Sequence, residues 1–127
     1  MFRFSNNNSN TTGGGDAQLQ AAIQHKNEGR YQEATTLLQT ILAKSPNNAA
    51  AHHQLGLVFS FRADQDQSLH HLQRAATLSP NTAIYVLDLA KTHAMFGDYR
   101  KATIFFRRVL AIDPANKDAA KNLELLR

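Results

Sequence analysis

Apolar residues recur three and four positions apart along this chain, and turn residues cut each run short. Leu55, Val58 and Phe59 fill three places of an i, i+3, i+4, i+7 template whose fourth place is Arg62. Leu69, Leu72, Ala75 and Ala76 repeat the pattern a few residues later. Such spacing lays an apolar stripe along one face of a helix. It predicts helices over about 16–28, 31–44, 49–61, 65–78, 83–95 and 99–112, with one more over about 117–127. Gly29 and Gly97 are expected to end a first helix by accepting a left-handed turn. Asp64 and Asp98 are placed to cap a second helix, and Asn48, Thr82 and Asn116 to cap the helix after it.

The three prolines, Pro46, Pro80 and Pro114, stand 34 residues apart and close each second helix, since proline lacks the N–H a helix needs. Aligned on them, the chain divides into blocks 15–48, 49–82 and 83–116. Residue types recur down the columns. Ala22, Gly56 and Ala90 are small, as are Ala34, Ser68 and Ala102, while Leu38, Leu72 and Phe106 are large and apolar. "GRYQEAT" at 29–35 returns as "GDYRKAT" at 97–103. A 34-residue period is that of a stacked helix–turn–helix unit, and small columns let helix axes approach closely.

These columns resemble the tetratricopeptide repeat. Leu55-Gly56, Phe59, Leu72 and Pro80 carry the likeness in the second block, and Leu89-Ala90, Ala102, Phe106 and Pro114 in the third. The likeness implies an all-α, right-handed superhelix of three hairpins, domain 16–127, closed by a capping helix over 117–127. The family's tryptophan position holds Gln18, His52 and Val86, and its tyrosine position His25, Phe59 and His93. Ala63 replaces the inter-helix glycine of the second block.

The family's concave groove is lined by the first helix of each repeat, which implies a binding site of Leu19, Ile23, His53, Gln54, Leu57, Phe61, Ile84, Leu87, Asp88, Lys91 and Met95. Gln20 and Asn27 join it at one end, and Lys121, Asn122 and Leu125 at the other. One subgroup clamps chaperone carboxylates with Lys, Asn, Asn, Lys and Arg; those positions here hold Leu19, Ile23, Gln54, Ile84 and Asp88. With no cation among them, a carboxylate clamp is rejected. About half of Leu19, Ile23, Leu57, Phe61, Ile84, Leu87 and Met95 are expected to be exposed.

Composition changes this picture little. Residues 1–15 are mostly Asn, Ser, Thr and Gly and read as a flexible tail, with Phe2 and Phe4 as a candidate docking tip. Residues 1–90 balance six Lys/Arg with six Asp/Glu, whereas residues 91–127 carry eight against four and hold the whole net charge of +4. Arg100, Lys101, Arg107 and Arg108 concentrate it on the outer face of one helix, where solvation is the simpler account and nucleic acid is not expected. There is no cysteine. His52-His53 and His70-His71 are neighbours that splay about 100° apart on a helix, so no metal or cofactor is expected. His25 and His93 read as hydrogen-bonded packing residues. Asp64, Asp66, Glu28 and Glu33 have no nucleophile–base partner in the pattern, which argues against an enzyme.

The sequence therefore points to a non-enzymatic interaction module that binds an apolar or amphipathic segment of a protein. The alternative is a self-assembling protein, oligomer or filament, built by head-to-tail stacking of solenoids. Neither a secretory signal nor a run of about 20 apolar residues occurs, so the expectation is a cytoplasmic protein without a membrane span.

Overall fold

The computed structural model describes residues 10–127, with side chains from Asp16 onward. The tail residues Phe2 and Phe4 lie outside the described residues. Seven helices follow one another among the described residues: α1 (Asn10–Asn27), α2 (Tyr31–Lys44), α3 (Ala49–Phe61), α4 (Gln65–Leu78), α5 (Ala83–Met95), α6 (Tyr99–Ile112) and α7 (Lys117–Leu125). Their ends fall within a few residues of the predicted ones, except that α1 begins at Asn10, inside the stretch read as tail.

Helices α1 and α2, α3 and α4, and α5 and α6 form three antiparallel hairpins, and α7 lies against α6. The first helices also meet across repeats, α1 with α3 and α3 with α5, more closely than the second helices meet each other. That asymmetry curves the stack and puts α1, α3 and α5 on its inner face. The architecture is an all-α solenoid.

The small columns set the helix spacing. Ala22 and Ala90 are fully buried against the second helices, as are Leu38, Leu72 and Phe106 opposite. Gly56 has no room for even a methyl group, since a Cβ there would sit 2.6 Å from Leu72 Cγ. The approach also settles the buried polar column member, Ser68, whose hydroxyl donates to the Gly56 carbonyl at 2.9 Å. A buried hydroxyl without that partner would cost about 1–3 kcal/mol.

The inter-helix turns share one hydrogen-bonding scheme. Arg30 N–H donates to His25 O at 2.8 Å, Asp64 N–H to Phe59 O at 2.9 Å and Asp98 N–H to His93 O at 2.8 Å. This closure needs a left-handed residue before the donor. Gly29 and Gly97 supply it with φ of 78° and 88°, and Ala63 adopts φ of 60° in the same place. The second turn therefore keeps the repeat geometry at the expense of backbone strain on an alanine.

Asp64, Asp98, Asn48 and Asn116 each accept the N–H three residues ahead, as the sequence predicts. Thr82 does not. Its hydroxyl is taken by Ser79 Oγ at 2.7 Å, so α5 starts without a side-chain cap. The Ser-Pro turn ahead of it competes for the same oxygen.

Candidate functional site

The repeat register builds the inner face from residues 34 apart: Leu19, His53, Leu87 and Lys121 in one column, Gln20, Gln54, Asp88 and Asn122 in the next. Ile23, Leu57, Lys91 and Leu125 follow, then Asn27, Phe61 and Met95. Phe61, Ile84 and Met95 are exposed, at 59%, 47% and 57%, and Leu125 is exposed beyond them. Leu19, Ile23 and Leu57 are half-buried. Leu87 departs from the expected role, being 5% exposed and packed in the core with Val86 and Ala90. His53, in the same column one repeat earlier, is buried as well, and on α5 it is Ile84, about one turn before Leu87, that is exposed. Phe61 is braced by Tyr31, whose ring stacks on it at 5.9 Å.

A chain of polar contacts runs along this face across all three repeats. Lys26 donates to Gln54 Oε1 at 2.7 Å, and Gln54 Nε2 lies 3.5 Å from His53 Nδ1. His53 Nε2 in turn contacts Asp88 Oδ2 at 2.7 Å. A carboxylate only accepts, so Nε2 carries the hydrogen and Nδ1 is left to accept from the amide. Burial holds the Lys26 ammonium below the usual lysine range, an effect that Asp88 partly offsets. Lys91 and Asp118 pair farther along and tie α5 to α7. His53 is thus not a groove surface: it is buried, clasped by Asp88 and covered by the Tyr85 ring at 4.7 Å.

Lys26 escaped the sequence reading. It lies 28 residues before Gln54, out of step with the 34-residue columns. Being the one Lys or Arg within α1 was the available signal.

The other histidines sit away from the groove. His52 Nε2 donates to the Pro46 carbonyl at 2.8 Å, which leaves Nδ1 to accept from His71 Nδ1 at 3.0 Å. Phe59 stacks on His71, and His70 meets it edge-on. Burial first, then the His52 and His70 imidazoles, lower the His71 pKa to about 4. His93 lies parallel to Phe105 at 5.5 Å and is also held below the usual range, by burial above all. His25 departs from the expected hydrogen-bonded state: its Nδ1 is buried without a partner among the described residues. Phe59 and His93 meet aromatic rings in the corresponding column, whereas His25 stands at the end of the stack.

Among the described residues, no cluster of His, Asp or Glu has the arrangement of a metal site. Among them, too, no helix is long and apolar enough to cross a membrane.

Comparison with known proteins agrees with this geometry. Residues 16–48 match the model of the tetratricopeptide repeat. Over 90 residues the chain is 26% identical to anaphase-promoting complex subunit 3 of Schizosaccharomyces pombe, which covers 71% of this chain and 14% of that protein. The chain spans at most about a quarter of the length of the curated relatives it matches. The first TPR of Spaghetti (RPAP3), bound to an HSP90 peptide, superposes with a TM-score of 0.81 at 14% identity, covering 87% of both chains. The Yersinia enterocolitica type III secretion chaperone SycD, in complex with a peptide of the translocator YopD, gives 0.79 at 15% identity over 87% of this chain and 90% of that one. With three helical hairpins and a further C-terminal helix, the chain has the fold of tetratricopeptide repeat proteins, and its residues 16–48 carry the signature of that repeat.

Proposed function

We propose that the chain is a non-enzymatic interaction module whose inner face holds an apolar or amphipathic segment of a partner protein. The observation that carries this reading is the joint exposure of Phe61, Ile84 and Met95 on the face made by the first helices. Large apolar side chains gathered on a concave surface mark a binding site more often than chance exposure. Leu19, Ile23 and Leu57 extend the apolar strip inward, and Lys26, Gln54 and Lys91, each already paired within the chain, border it.

Two structural neighbours hold peptides, which supports a peptide-binding role for the shared fold. The chemistry of this groove differs from the first of them. The HSP90 peptide there ends in Glu-Glu-Val-Asp. Here Leu19, Ile23, Gln54 and Ile84 carry no charge, Asp88 is acidic, and Lys26 is engaged by Gln54. The partner segment is therefore apolar where it meets the groove.

The test is affinity capture with wild type and with Phe61→Glu, Ile84→Glu and Met95→Glu, singly and combined. These side chains are exposed, so helix content and melting temperature should hold. Capture of the partners should fall at least about tenfold in the triple variant, a cost of about 1.4 kcal/mol or more. Equal capture by the triple variant would sink the groove reading. Leu87→Ala is a poor probe, because the residue is in the core.

A further inference from the structure

A cleft of about 390 Å³ opens on the outer side of the stack, lined by residues of α4, α5 and α6. His93 of α5, only 7% exposed, is the most buried residue lining it. Its ring stacks on Phe105, yet no backbone or side-chain group among the described residues hydrogen-bonds its nitrogens, a departure from the hydrogen-bonded packing expected of it. The repeat register gives the reason. The counterpart of His93 one repeat earlier is Phe59, which stacks on His71 as His93 stacks on Phe105, so ring and imidazole have exchanged places. His71 finds a partner in His52 Nδ1 at 3.0 Å. In the place of His52 the third repeat has Val86, which offers none. A phenylalanine at 93 would complete the packing; the imidazole adds a donor and an acceptor that this repeat does not use.

We propose that this cleft is a ligand site on the outer face, separate from the inner groove, and that it takes a small aromatic carboxylic acid. Small-molecule sites run from about 300 to 1,000 Å³, with apolar walls and a few convergent polar groups, and this cleft has that size and make-up. Leu69 of α4 and Phe105 of α6 are its apolar walls, both half-buried. The Arg108 guanidinium lies 5.0 Å from the Phe105 centroid and, with His93, braces that ring. A flat ring set between Leu69 and Phe105 gains apolar burial and an aromatic contact together.

The charge of the ligand follows from α6. That helix carries Arg100, Lys101, Arg107 and Arg108 and no acidic residue, and of the four it is Lys101 that lines the cleft. The Lys101 ammonium has no ionic or hydrogen-bonding partner among the described residues. It acts on the His93 imidazole, as does the Asp98 carboxylate, which caps α6 by accepting the Lys101 backbone N–H. Burial keeps that imidazole neutral at pH 7, so one of its nitrogens donates. A carboxylate at this end of the cleft accepts from the Lys101 ammonium and from the His93 N–H, a charge-assisted pair of contacts. Asp66 stands on the α4 wall, in the first turn of that helix, where the helix dipole offsets its charge.

The probes are cinnamate, its uncharged amide cinnamamide and the cation cinnamylamine, each titrated into the full chain and followed by NMR. Cinnamate should saturate with a Kd of about 1 mM or lower and bind at least about tenfold more tightly than either analogue. Its shifts should fall on Leu69, His93, Lys101 and Phe105. Lys101→Ala should remove the preference for the carboxylate. His93→Phe copies the residue of the preceding repeat, so its melting temperature should hold or rise and its groove capture should stay intact. Its cinnamate affinity should nevertheless fall at least about fivefold. Equal affinity for the three compounds, or no saturation by cinnamate, would overturn the inference. So would tighter binding of cinnamylamine through Asp66, shifts confined to Phe61, Ile84 and Met95, or undiminished cinnamate binding by His93→Phe.

Discussion

His52 and His53 are adjacent on α3 and about equally buried, yet they serve opposite surfaces. A helix turns each residue about 100° from the last, so one imidazole points to α4 and the other to α5. His53 meets a carboxylate and becomes a link in the polar chain of the inner face. His52 meets another imidazole and a backbone carbonyl, and it clusters with His71, Phe59 and His70. The same side chain is a hydrogen-bonded link in one place and a packing ring in the other. What decides is the residue that the neighbouring helix presents.

Removing the carboxylate breaks the comparison most severely. Asp88→Ala leaves the His53 N–H buried without an acceptor and takes away the charge that offsets the desolvation of Lys26. Loss of a buried hydrogen-bonded partner of this kind should cost about 2–3 kcal/mol. Urea unfolding would read it as a lower midpoint at unchanged slope. Asp88→Asn keeps an accepting oxygen and should recover about half. If Asp88→Ala costs less than about 0.5 kcal/mol, the polar chain does not fasten the repeats.

The outer cluster should fail instead with acid. The folded state holds the His71 pKa near 4, against about 6.5 for an unfolded histidine. Above pH 6.5 both states are neutral, and the stabilisation is fully present. As pH falls from about 6.5 towards 4, the unfolded chain takes up a proton that the folded one refuses, so stability declines. Desolvation is the larger cause, and the groups acting on the ring, His52 and His70, would only add repulsion if protonated. The ring is half-buried, and with solvent screening the loss should be about 1–2 kcal/mol. His71→Gln retains an N–H to offer His52 and does not titrate. Unfolding curves between pH 7 and 4.5 should be flatter for that variant, and parallel curves would remove His71 from the account.

This difference between the two histidines was not legible in the sequence. The period, the turns and the small columns were, because each is a local rule applied three times: Gly29 and Gly97, Asp64 and Asp98, Ala22, Gly56 and Ala90. Phe61, Ile84 and Met95 followed from the same register. Leu87 did not, since register places a Cα on a face but not the depth of its side chain, and this one joins the core cluster. Lys26 and Gln54 meet across 28 residues, a separation no periodic column contains. Thr82 lost its capping role to Ser79, a competition between two hydroxyls that spacing alone does not resolve.

The smallest effect is expected where α3, which carries both histidines, ends. Ala63 holds φ of 60°, a left-handed conformation that its Cβ disfavours. Glycine removes that strain, although it also gives the unfolded chain more freedom. The net gain for Ala63→Gly should be about 0.5–1 kcal/mol, seen as a higher melting temperature. The turn stays clear of the Asp88 pair and meets the His71 cluster only through the backbone carbonyl of Phe59, which does not titrate, so the gain should be the same at pH 7 and pH 4.5. A uniform gain would show that the acid sensitivity belongs to the imidazoles on the outer side of α3 and not to the fraying of the helix itself. A gain that grows with acid would move the weak point to the turn, and would make the contrast between His52 and His53 a consequence of how α3 ends.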